Sequence, residues 1–229
     1  MASSMSNGAA GPQVGASGPA PPSPVGQTGP IGAGSAAAGP WPAGVILAGG
    51  KSSRFGSNKA LALYQGRPLI VHAARVMAEI FTEKLLVTNT PEAYAFLGWP
   101  MTGDLVANAG PLAGIQAAMN KIQAERAFIV ACDMPRLDAA VITRICQCPG
   151  DWDVVMPELP GGGEPLHAVY HRRILPAIDA ALARGEGKIL RLLTALRVRT
   201  MSAAELGLAD DRPVPFANIN FTRDLHDLP

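Results

Sequence analysis

The amino-acid sequence predicts an α/β domain built on a mostly parallel central sheet that is buried on both faces. Three observations carry this expectation. Short, wholly apolar runs rich in β-branched residues recur along the chain, without the polar alternation of a sheet that has one wet face. Between them lie longer segments whose apolar residues fall at helical spacing. The first and third of these runs end directly in glycines or in an aspartate, the loop chemistry expected where parallel strands present their carboxyl ends to a ligand.

Taken in order, Val45-Ile46-Leu47-Ala48 is the first such run and stops at Gly49-Gly50, as a buried strand entering a loop would. Pro68 to Phe81 follows with Leu69, Ile70, Ala73, Ala74, Met77 and Phe81 on one face, a helix with proline near its first position. Leu85-Leu86-Val87 is a second strand. Pro111 to Ile122 is a helix with Leu112, Ile115, Met119 and Ile122 on one stripe. Ala127 to Ala131 is a wholly apolar strand that runs straight into Cys132-Asp133, and Val154-Val155-Met156 is a shorter one bounded by Pro157. Ile174 to Leu182 and Ile189 to Leu196 have helical periodicity, and Phe216-Ala217-Asn218-Ile219 is expected to be a last strand. No internal repeat is present.

Composition bounds the function. Of 229 residues, 48% are hydrophobic and 16% charged, enough apolar material for a sizeable core. A formal net charge of +1 argues against an electropositive nucleic-acid binder. No stretch approaches the roughly 18 consecutive apolar residues of a membrane-spanning helix, so no membrane partner is expected. The 3 cysteines, Cys132, Cys146 and Cys148, form no CxxC pair, which disfavours a disulfide framework or structural zinc site and favours a reducing, cytoplasmic setting.

All 19 basic and 18 acidic residues lie beyond residue 43. Residues 1–43, mostly glycine, proline, alanine and serine, cannot bury enough surface to offset about 1–2 kcal/mol of backbone ordering per residue. They also lack the basic start and apolar core of a secretory signal and the arginines of a transit peptide. The expected organisation is a disordered extension over 1–43 and one domain over 44–229.

The chemistry should sit at the strand ends. In the loop from Leu47 to Lys59, the paired Gly49 and Gly50 let backbone N–H groups approach a phosphate, and Arg54 and Lys59 supply positive charge. Gly50-Lys51-Ser52 imitates the end of a Walker A loop, but that pattern requires glycine where Val45 stands, and the dinucleotide fingerprint G-x-G-x-x-G is absent. Composition alone leaves open a plain glycine-rich turn with surface basic residues. Asp133, at the tip of a buried strand, suits Mg²⁺, a hard cation that bridges to substrate phosphates, though an aspartate before Pro135 also fits a turn or helix cap. Gly110-Pro111-Leu112-Ala113-Gly114 is a tight turn opening a helix, and Asp104 precedes it in a loop.

Together these residues resemble one family. The run Leu-Ala-Gly-Gly-x-Ser-x-Arg-Phe-Gly-x-x-Lys at 47–59 is similar to the nucleotide-binding signature of glycosyltransferase-A-like nucleotidyltransferases. Gly-Pro-Leu-Ala-Gly at 110–114, Cys-Asp-Met-Pro at 132–135, Glu-Pro-Leu-His-Ala-Val-Tyr at 164–170 and Asn-Ile-Asn at 218–220 occur in the order found in molybdenum cofactor guanylyltransferases. The resemblance spans 44–229 and implies a Rossmann-like three-layer sandwich. It also implies Mg²⁺-dependent transfer of GMP from GTP to the terminal phosphate of molybdopterin, with pyrophosphate released. By resemblance, Leu47, Ala48, Gly49 and Gly50 line the nucleotide site, and Arg54 and Lys59 face the phosphates. Asp104 helps hold the nucleotide, Asp133 holds the metal, and Asn218 and Asn220 lie on the pterin-phosphate side. Molybdoenzymes or their chaperones are further candidate partners.

The sequence departs from the pattern at Phe55, where methionine is usual, and at Asn58, where aspartate is common. The family's asparagine contact after the second strand falls within Thr88-Asn89-Thr90 without a settled register. His167 has a bland reading as a strand residue, and Arg172, Arg173, Arg191, Arg197 and Arg199 as solvated faces. A cytidylyltransferase of the same fold and a nucleotide-binding adaptor without turnover are the alternatives. Gly49 and the 110–114 motif favour guanine over cytosine, and Arg54, Lys59 and Asp133 favour an enzyme over an adaptor.

Overall fold

The computed structural model describes residues 40–49, 58–106, 109–208, 214–216 and 218–219. The chain enters β1 (Ala43–Leu47), forms a small hairpin of β2 (Leu63–Tyr64) and β3 (Arg67–Pro68), and continues into α1 (Leu69–Ile80) and β4 (Lys84–Val87). After β5 (Met101–Thr102) come α2 (Pro111–Lys121), β6 (Arg126–Ala131), α3 (Ala139–Cys146) and β7 (Val154–Leu159). The last elements are β8 (Gly162–Gly163), β9 (His167–His171), α4 (Leu175–Ala183), α5 (Ile189–Leu193) and β10 (Val198–Met201). The main sheet has the order β10-β7-β9-β6-β1-β4-β5, with β8 on β7. All its pairings from β5 to β6 and the β7–β10 pairing are parallel, while β9 runs antiparallel between β6 and β7.

The two faces of the sheet bury separate cores. Ala43, Val45 and Leu47 of β1 face α2, α4 and α5, whereas Ile46 faces α1 and α3. This period-2 alternation of apolar residues to opposite faces makes the expected three-layer sandwich. Gly44 shows how tightly the α1 side closes: a Cβ there would lie 2.5 Å from Phe81 Cδ2. Phe81 is fixed by stacking at 5.7 Å on Phe128.

Several expectations change. The folded body starts before Gly44, because Ala43 is buried in β1, the Trp41 indole donates to Ile80 O, and Arg126 bonds Pro40 O. Strand β7 runs through Pro157, whose carbonyl still accepts from Glu164 N, and then pairs with β8. The helix expected to reach Leu196 stops at Leu193. Among the described residues of the strand expected at 216–219, none enters a ladder: Phe216 ends the 3₁₀ turn Val214–Phe216, and Ile219 N donates to Asp133 O.

Candidate functional site

Because β1, β4, β5 and β6 are parallel, their carboxyl ends share one edge. Hydrogen bonds continue the pairing beyond the strands: Ala48 N to Val87 O at 2.9 Å, Thr88 N to Thr102 O at 2.8 Å, and Cys132 N to Leu47 O at 3.2 Å. Gly49, Asn89, Asp104 and Asp133 therefore follow directly on strand-rigid backbone, which suits them to hold a ligand at fixed geometry. Antiparallel β9 brings its amino end to the same edge, where Leu166 O accepts from Ala131 N, and so adds Glu164.

Lys59 opens a 3₁₀ turn, Lys59–Leu61, capped by Asn58. Asn58 Oδ1 accepts from Ala60 N at 3.2 Å and from the hydroxyl of fully buried Tyr94 at 3.0 Å. Only an acceptor oxygen is needed for both contacts, so asparagine serves where aspartate is common in the family it resembles. The turn carries Lys59 Nζ to 2.6 Å from Asp133 Oδ2, with both side chains largely shielded from solvent. Asp133 Oδ1 is buried with no hydrogen-bond partner among the described residues. A buried carboxylate oxygen left unpaired is costly unless a ligand completes it, and an anionic oxygen suits a hard divalent cation.

Across the edge, Asn89 and Asp104 hold each other reciprocally. Asn89 Nδ2 donates to Asp104 Oδ2 at 2.8 Å, and Asp104 N donates to Asn89 Oδ1 at 2.9 Å. The glycines of the 110–114 motif serve this corner in two ways. Gly110 has φ +74°, open to glycine without strain. Gly114 lets α2 close on its neighbours, since a Cβ there would lie 3.3 Å from Leu47 Cδ2 and 3.6 Å from Asp104 Oδ1.

On the Asp133 side, Glu164 Oε1 accepts from Leu166 N at 3.1 Å. Burial, with Asp133 nearby adding to it, pushes the Glu164 carboxyl above the usual carboxylate range. Burial, reinforced by Asp133, also pushes the Cys132 thiol up to about 12, so it stays protonated and is no nucleophile.

Comparison with known proteins identifies the family of the chain. The model of the MobA-like NTP transferase domain matches residues 44–200. The chain belongs to that family. It is 42% identical to a molybdenum cofactor guanylyltransferase of Desulfosudis oleivorans, covering 80% of this chain and 91% of that protein. It is 36% identical to a probable molybdenum cofactor guanylyltransferase of Carboxydothermus hydrogenoformans, covering 80% of this chain and 92% of that one. Among solved structures, molybdopterin-guanine dinucleotide biosynthesis protein A from Archaeoglobus fulgidus superposes with TM-score 0.70 at 24% identity, over 81% of this chain and 96% of that one. Rv0371c from Mycobacterium tuberculosis, solved in complex with manganese, superposes at TM-score 0.55 and 17% identity, over 71% and 88% of the two chains. These two likenesses establish the α/β fold of the MobA-like domain.

Within this MobA-like domain, Ala48, Gly49, Lys59, Asp104 and Asp133 gather at one edge. Leu47 differs: its side chain joins the α2-side core and its carbonyl is taken by Cys132 N, so it supports the site from below. Gly50, Arg54 and Asn220 lie outside the described residues. His167 is a core residue of β9, set edge-on against Phe128 at 5.0 Å and Phe216 at 4.7 Å. Arg173 and Arg197 pair with Asp151 and Asp153, and Arg172 donates to Ile122 O and Ala124 O. Arg191 and Arg199 pair with Glu186 and Glu205. Sequence reading did not select Asn89 or Glu164. The end of β4 at Val87 fixes the register of Asn89, whereas Glu164 reaches the site only through the antiparallel return of β9.

Proposed function

We propose that this chain transfers GMP from GTP to the terminal phosphate of molybdopterin, forming molybdopterin guanine dinucleotide and releasing pyrophosphate. The curated relatives that cover most of its length support the reading, and the observation that carries it is the Lys59–Asp133 pair with its unpartnered Asp133 Oδ1. An oxygen of the acceptor phosphate attacks the α-phosphorus in line. The new P–O bond forms as the bond to the β-phosphate oxygen breaks, and pyrophosphate leaves. The attacking oxygen is already anionic, so neither a side-chain nucleophile nor a general base is required. The protein contributes positioning and charge balance.

Asp133, through Oδ1, is the group that would hold Mg²⁺, which when bound supplies charge neutralisation at the α-phosphate and the leaving pyrophosphate. Lys59, with Arg54, balances phosphate charge. Asp104, held by Asn89, fixes the nucleoside end beside Gly49. The three free thiols accord with a cytoplasmic setting. Molybdoenzymes or their chaperones are the proposed recipients of the product.

Calorimetric titration with GTP, CTP and ATP, each with Mg²⁺, tests the reading. Selective GTP binding, with transfer lost in Asp133→Asn while the fold is retained, is the expected result. CTP preference would move the protein to cytidylyl transfer, and full activity of Asp133→Asn would overturn the metal assignment.

A further inference from the structure

The turn that carries Lys59 is too short to hold itself. Its own backbone bonds are Leu61 N to Asn58 O and Ala62 N to Lys59 O, both at 3.0 Å. A single 3₁₀ turn has poor hydrogen-bond geometry and depends on outside contacts. One contact is Ala60, buried in the α1-side core. Another runs from the exposed Asn58 side chain to Tyr94, 36 residues along the chain, by a hydrogen bond of 3.0 Å. A backbone N–H only donates, so the Asn58 atom 3.2 Å from Ala60 N is Oδ1, and the Tyr94 hydroxyl donates to that same oxygen. Tyr94 is fully buried in the α1-side core, and burial holds its hydroxyl above the usual phenol range, so it stays a donor at neutral pH. Packing fixes the ring, and the hydroxyl reaches out to an exposed side chain.

We propose that Tyr94 is the positioning residue of Lys59, acting through Asn58 to set the turn from which Lys59 reaches the phosphates. This rests on the reading above that Lys59 balances phosphate charge. Tyr94 lies in the 3₁₀ segment Pro91–Leu97, which follows Asn89 and Thr90, and Asn89 braces Asp104 at the nucleoside corner. One stretch of chain thus supports both halves of the site, with Lys59 Nζ delivered to 2.6 Å from Asp133 Oδ2. Without the Tyr94 hydroxyl, the Asn58 side chain regains its rotamers and its cap on Ala60 N loosens. Lys59 must then be re-ordered each time a phosphate binds.

Tyr94→Phe tests this, because it keeps the ring in the core and removes only the hydroxyl, while Asn58 Oδ1 can still accept from Ala60 N. Calorimetric binding of Mg²⁺-pyrophosphate to the full chain reads the phosphate site without the base, since pyrophosphate is the product of any nucleotidyl transfer from a nucleoside triphosphate. Tyr94→Phe is expected to weaken that binding by roughly twofold to tenfold, the cost of re-ordering one freed side chain. Asn58→Ala should weaken it at least as much. In the Asn58→Ala background, Tyr94→Phe should add nothing, because the bond it removes is already gone. A merely structural tyrosine would cost the same in both backgrounds. Melting temperatures confirm that each variant is folded. Unchanged pyrophosphate affinity in folded Tyr94→Phe, or equal losses with and without Asn58, would overturn the proposal while leaving GTP selectivity intact. Absence of pyrophosphate binding in the wild type would overturn both the proposal and the phosphate role of Lys59. A protein that selects CTP yet shows the expected pattern would retain the proposal and lose the guanylyl reading.

Discussion

Replacing Asn89 separates the stability of the fold from the readiness of the site. Asn89→Ala removes both hydrogen bonds to Asp104, at 2.8 and 2.9 Å. Both are exposed to water, so the loss of stability should stay within about 1 kcal/mol. Asp104 is then no longer held, and re-ordering one such side chain on binding costs about 0.5–1.5 kcal/mol, a loss of GTP affinity of roughly twofold to tenfold. Asn89→Asp keeps the shape but sets two carboxylate oxygens at the present 2.8 Å. Their repulsion is about 1.5 kcal/mol at the dielectric of water and about 6 kcal/mol at an effective value of 20. Exposure selects the lower figure, so this variant should bind GTP roughly tenfold more weakly than Asn89→Ala. Calorimetric Kd values for Mg²⁺-GTP, with melting temperatures measured alongside, check the ranking. GTP binding by Asn89→Asp at the wild-type Kd would refute the argument, showing that Asp104 either does not hold nucleotide or is not positioned by Asn89.

Three further outcomes are expected. His167 is fully buried without a hydrogen-bond partner among the described residues, and burial lowers its pKa to about 3. Its native pKa lies below the unfolded value, so the unfolded chain binds the proton first and stability falls as pH drops from about 6.5 toward 3, by up to about 1.4 kcal/mol per pH unit. Urea melts at pH 7 and 5 should show a smaller loss in His167→Leu than in wild type, and equal losses would contradict this. Gly44→Ala drives a Cβ into the stacked Phe81 ring and should destabilise by about 1–3 kcal/mol of overpacking, read by thermal melting. Gly49→Ala meets only an ordinary contact, with Asp104 Oδ2 at 3.9 Å, so it should fold normally and alter discrimination between GTP and CTP; unchanged selectivity would remove Gly49 from base recognition.

The sequence by itself determined the α/β class, the strands β1, β4, β6 and β7 and the helices α1, α2 and α4. It pointed to the strand ends as the candidate site, while α3 and β10 were not read from it. Buried parallel strands announce themselves as apolar runs, and the residues that follow them, Gly49 and Asp133 among them, stand at carboxyl ends by construction. Local signals also placed α1 and α2, whose apolar stripes and flanking prolines are readable without neighbours. The end of the chain was another matter. Phe216 to Ile219 has the composition of a strand, yet Phe216 closes a 3₁₀ turn against His167, and Ile219 packs on Tyr64 and donates to Asp133 O, neither of them in a ladder. Only the tertiary structure decided that Asp133 would share its charge with Lys59, 74 residues away, that Asn89 would brace Asp104, and that the reversed strand β9 would bring Glu164 to the same edge. Those choices depend on which loops the sheet order brings side by side, and strand order is set by packing of whole faces, which no local spacing of residues records.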